Sequence, residues 1–68
     1  MKNKKIIKLI KRLRHFDRLA SNGEMTFHKQ AQQRKVEHKL HIAGVLVEHE
    51  FVTDAPLEIM QAIDLHYG

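Results

Sequence analysis

The chain has 68 residues, a formal net charge of +4 and no cysteine. That length allows one domain whose small core is marginal by itself, and the lack of cysteine excludes both a disulfide staple and a thiolate zinc site. Self-association is the ordinary remedy left, so a homo-oligomer is expected.

Charge is laid out unevenly. Residues 1–36 hold eleven Lys and Arg against Asp17 and Glu24, whereas residues 37–68 hold Lys39 against six acids. A basic half is joined to an acidic half, which points to a polyanion as partner or to contact between the halves of neighbouring copies. No apolar run approaches the ~20 residues needed to cross a bilayer, and no apolar signal-peptide core follows the basic start. A soluble, cytoplasmic protein is the expectation.

From Lys2 to Ala20 the apolar residues Ile6, Leu9, Ile10, Leu13, Phe16 and Ala20 recur at three- and four-residue steps, which predicts a helix over 1–20 with one core face. Lys4, Lys5, Lys8, Lys11, Arg12, Arg14 and Arg18 fall mainly on the other side. An ordinary solvated face would also be charged, but eight basic residues against one acid in the first eighteen is a strong bias. Cations near a helix N-terminus oppose the macrodipole, and a bound anion would relieve them.

Ser21-Asn22-Gly23 stops this helix, since Gly and Asn tolerate a left-handed cap. Ser21 to Glu24 has capping-box spacing for the next helix, with Thr26 as a rival N-cap. The stretch His28 to Lys35 is polar but favours helix, and Arg34 and Lys35 add a second basic patch. Val36, Leu40, Ala43, Val47 and Phe51 then continue one helical face, with Ile42 and Leu46 beside it. A central helix over 24–51 is expected, with the uncharged run Ile42 to Val47 as the centre of the fold. A buried strand at Ile42 to Val47 is the rival; it is set aside because no second strand offers itself for pairing. Within that helix Gly44 costs ~1 kcal/mol relative to Ala, so close approach of another helix at Ala43, Gly44 and Val47 is the expected reason for it and the expected oligomer interface. Asp54 or Thr53 caps a third helix over 54–67, with Pro56 in its first turn.

The chemistry-bearing residues are few. His38 and His41 are three apart and could share an ion, but no HExxH, Cys pair or Asp-rich loop accompanies them, so solvated histidines are the simpler reading. Ser21 and the threonines sit at caps and turns, and Glu48 and Glu50 point to different faces of a helix. No catalytic, metal-binding or cofactor-binding residue is assigned, and an enzyme is not expected. Phosphate contact by scattered Lys and Arg suits a nucleic-acid backbone without sequence readout, and the lack of Trp makes the basic helix a poor membrane binder.

The stretch RKVEHKLHIAGVLVEHEF, followed by an acidic turn and a last apolar helix, resembles the TraD family of small bacterial conjugal-transfer proteins over residues 34–66. Arg34, Lys35, Lys39, Ile42, Ala43, Gly44, Leu46, Val47 and Phe51 occupy matching positions. The family has two glycines where this chain has Ala43-Gly44, and a small residue and Gly where it has His49-Glu50, which suggests a longer second helix here. The resemblance implies an accessory role in plasmid mobilisation and no catalytic residues. The expected protein is therefore all-α, three-helical and oligomeric, binding DNA backbone through its basic N-terminal helix. The alternative is a protein-interaction module, an adaptor or a small plasmid- or phage-borne inhibitor, whose basic helix docks on an acidic protein.

Overall fold

The computed structural model describes residues 2–68. The fold has three helices, α1 (Asn3–Ser21), α2 (Phe27–Ile42) and α3 (Leu57–Tyr67), with a two-stranded antiparallel hairpin, β1 (Leu46–Val47) and β2 (Glu50–Phe51), between α2 and α3 in the chain. The three-helix architecture is as expected; the hairpin is not. At ~1.5 Å per residue the 19 residues of α1 run about 28 Å, and they set the long dimension of a body 33 × 22 × 20 Å in extent.

α1 is the axis of the fold, because both other helices pack on it. It supplies Ile6, Leu9, Ile10, Leu13 and Phe16 to the core, against Val36 and Leu40 of α2, Val45 and Leu46 at the hairpin, and Ile59 and Ala62 of α3. No polar or charged residue is buried among the described residues. Each fully buried Leu or Ile contributes roughly 1.5–3 kcal/mol, and Ile10, Leu40 and Ile59 are the side chains most completely enclosed.

Both chain reversals around α2 use the same device. After α1, Gly23 adopts φ +71 while its N–H donates to the Ala20 carbonyl and that of Glu24 donates to Leu19. After α2, Gly44 adopts φ +76, its N–H donating to His41 and that of Val45 to Leu40. This pairing of a left-handed glycine with two crossed bonds is the Schellman closure. Val45 and Leu40, which bracket the second one, are both buried. At the start of α2 it is Thr26, not Ser21, that caps, its Oγ1 accepting from the Lys29 N–H at 3.2 Å.

The expected helix over 24–51 is thus overturned, since α2 ends at Ile42. Beyond Gly44 the chain is extended: Leu46 pairs with Phe51, Val47 with Glu50, and the Val52 N–H donates to the Val45 carbonyl at 3.0 Å. Strand alternation replaces helical period, so Leu46 is buried and Val47 is 59% exposed. Ile42, at 70% exposure, also lies outside the core, so the uncharged hexapeptide is not the centre of the fold. The turn residue Glu48 takes φ 57, a left-handed conformation unusual for a side-chain-bearing residue. The departure from the resembled family at His49-Glu50 therefore lies at the hairpin turn and the first residue of β2 rather than in a longer helix.

α3 begins later than expected. Pro56 occupies its N-cap position with ψ 149 and makes no side-chain cap, so neither Thr53 nor Asp54 caps it. Pro56 lends only its carbonyl, to the Ile59 and Met60 N–H groups, and Glu58 in the first turn complements the helix dipole.

Candidate functional site

The outer face of α1 carries a cationic stripe. At ~100° per residue Lys4, Lys8, Lys11 and Arg18 lie nearly in line along the helix, with Lys5 and Arg12 beside them, the whole spanning an arc of roughly 140°. Lys2, Lys4, Lys5, Lys8, Lys11, Arg12 and Arg18 are all exposed. The core face of the same helix is spent on packing. No helix of the described residues is long and apolar enough to cross a membrane.

Positive charge is concentrated most at the N-terminal end. Lys2 stands at the N-cap position without a side-chain cap, the first turn holds no acid, and Lys2, Lys4, Lys5 and Lys8 border an open surface recess. Free N–H groups and the positive end of the dipole add to these ammonium groups.

Arg14 belongs to a different construction. Its guanidinium carbon lies 5.4 Å from the centroid of the Tyr67 ring, a cation–π arrangement, and its Nε is buried without a hydrogen-bond partner. The Tyr67 hydroxyl donates to Asp17 Oδ2 at 2.8 Å, and Gln33 Nε2 donates to Asp17 Oδ1 at 3.0 Å. Asp17 of α1 thereby clasps α2 and α3, and Phe51 packs its ring 4.9 Å from that of Tyr67. Burial above all, then the hydrogen bond and the charge of Asp17, push the Tyr67 hydroxyl far above its ordinary value, with Arg14 pulling the other way. The phenol is therefore held as a proton donor. This clasp was invisible in the sequence, because its partners are 16 and 50 residues apart and no local pattern links them.

The consequence for the stripe is direct: the one acid of α1 has both oxygens engaged inward, on Gln33 and Tyr67. Of the seven residues proposed on α1, six are exposed together and Arg14 is withdrawn onto Tyr67. Arg34 and Lys35 are exposed on α2, a separate element.

Comparison with protein-family models, curated proteins and solved structures finds no match.

The other candidates from the sequence fare differently. Gly44 sits at a helix end in open space, where an added Cβ would meet no atom within 4 Å. The glycine answers a backbone requirement, and the reason for expecting a helix crossing at Ala43, Gly44 and Val47 lapses. His38 and His41 are exposed on α2, and among the described residues no group of three His, Cys, Asp or Glu is placed to hold a metal ion. A cleft of about 170 Å³ beside the hairpin is lined by Leu13, Asp17, Glu37, Leu46, Glu48, His49, Phe51 and Tyr67. Two of these residues, Asp17 and Tyr67, are bonded to each other.

Proposed function

We propose that this protein is a non-enzymatic nucleic-acid-binding accessory protein that holds DNA through its phosphate backbone on the outer face of α1. The observation that carries this reading is the stripe Lys4, Lys5, Lys8, Lys11, Arg12 and Arg18, exposed as a set while the acid of the same helix is turned inward. A mixed-charge surface would suffice for solubility, whereas a one-sign face on a rigid helix is what a polyanion recognises. The setting of plasmid conjugal transfer rests on the resemblance of residues 34–66 to the TraD family and on nothing else.

With about five phosphates neutralised on duplex DNA, log affinity should fall with log salt at a slope near −4.5. Fluorescence anisotropy across a salt series measures it. A Lys8→Glu/Lys11→Glu variant, altered only at exposed positions, should fold as the parent does and flatten the slope by about 2. Absence of binding at low salt removes the reading, and stoichiometric recovery of one acidic protein after nuclease treatment would favour the adaptor alternative instead.

A further inference from the structure

The stripe is rigid and straight, and that limits the polyanion that can match it. From Lys4 to Arg18 the row runs ~21 Å along the helix at ~1.5 Å per residue. A duplex presents phosphates on a stiff rod at ~3.4 Å per base pair, so the row faces about six base pairs. A single strand must instead be held straight against the helix. Proteins that do this offset the ordering cost by stacking bases on successive aromatic rings.

The Phe, Tyr and Trp residues of this chain form no such platform. It contains three Phe, one Tyr and no Trp. Phe16 is buried in the core, and Phe51 and Tyr67 are packed on each other at 4.9 Å. Phe27 is 88% exposed, but it stands alone at the start of α2 and off the stripe. Charge density adds to this argument, because a duplex releases more counterions per contact than a single strand.

We infer that the ligand of the α1 stripe is a double-stranded nucleic acid, bound without sequence readout over a footprint of about six base pairs. The inference rests on the phosphate-binding reading and narrows it. Whether the duplex is DNA or RNA is an outcome of the experiment, since both present paired phosphate strands.

The test is fluorescence anisotropy on the full chain at low salt, with labelled hairpin duplexes of increasing stem length in DNA and in RNA, a mixed-sequence DNA single strand, and phosphatidylserine vesicles. Duplex should be preferred over single strand by about tenfold or more, with salt slopes near −4.5 and −3.5 for the two. Affinity should rise steeply with stem length up to about six base pairs and only gently beyond. Phe27→Ala should leave both affinities unchanged. Equal or tighter binding of the single strand, or its loss in Phe27→Ala, overturns the duplex inference and leaves phosphate binding standing. Binding to vesicles alone, or to no probe, overturns both.

Discussion

Replacing Gly44 with alanine separates the observed fold from a continuous second helix by the sign of one number. In a helix interior the change gains about 1 kcal/mol, because Ala is the better helix former. In the conformation observed, φ +76, the added Cβ meets no neighbouring atom within 4 Å, so no clash contributes. What remains is the backbone penalty of holding a side-chain-bearing residue left-handed, about 1–2 kcal/mol. Urea denaturation followed by far-ultraviolet dichroism reads this directly. With m near the low end for small domains, about 1 kcal/mol/M, the midpoint should fall by roughly 1 M or somewhat more. Gly44→Asn should lose less, since Asn tolerates the left-handed region. A variant Gly44→Ala as stable as the parent, or more so, would refute the cap and with it the hairpin that follows.

Three further outcomes follow from the same geometry. Glu48→Gly should stabilise by roughly 0.5–1 kcal/mol, the relief of a left-handed Glu exceeding the entropy that Gly adds to the unfolded chain; a thermal melt showing a lower Tm would contradict the turn. Leu40→Ala should cost about 2–5 kcal/mol, whereas Ile42→Ala, at an exposed position, should stay within about 0.5 kcal/mol; comparable losses at both would restore the hexapeptide as core. Tyr67→Phe should lose about 1 kcal/mol by leaving a part-buried carboxylate short of a donor. The raised Tyr67 value means that the folded state keeps a proton which the unfolded state gives up, so stability should be intact below the ordinary phenol value of about 10 and decline as pH rises above it. Tyr67 is the only tyrosine, so phenol titration by absorbance reports this group alone, and ionisation at the ordinary value would count against the clasp.

α1 was legible because one long helix imprints its period on the sequence: every residue of its buried face lay on the three- and four-residue steps. Its stop at Asn22-Gly23 was equally clear. Gly44 carries the same signal, but an apolar helical pattern on both sides makes it look interior. The strands that follow are two residues long, shorter than any alternation can reveal. The turn between them carries Glu48 where a glycine would have announced a hairpin. The centre of the fold was misplaced for a related reason: an uncharged run signals burial only once its backbone period is known, and strand pairing turns Val47 outward. On the candidate site, exposure of the stripe followed from the helix alone. The withdrawal of Arg14 required Tyr67, which only the tertiary fold brings near.

α1 carries both the core and the cations, and the two roles pull against each other. Lys4–Lys8, Lys5–Lys8, Lys8–Lys11, Lys8–Arg12, Lys11–Arg14 and Arg14–Arg18 are like-charge neighbours at three- and four-residue spacing, together worth roughly 1–3 kcal/mol against the helix. Alternating Glu with Lys at the same positions would have reversed that sign. An isolated helix so charged would be marginal. Here five buried side chains hold it in place, with the clasp at Asp17 adding two hydrogen bonds from its neighbours. Five of the eight acids, Glu48, Glu50, Asp54, Glu58 and Asp64, are exposed on the hairpin, α3 and the segment between them, elements that follow α2. The modest net charge therefore understates the field on one side of the molecule. A one-sign surface kept at the expense of its own helix is what the proposed phosphate contact would relieve.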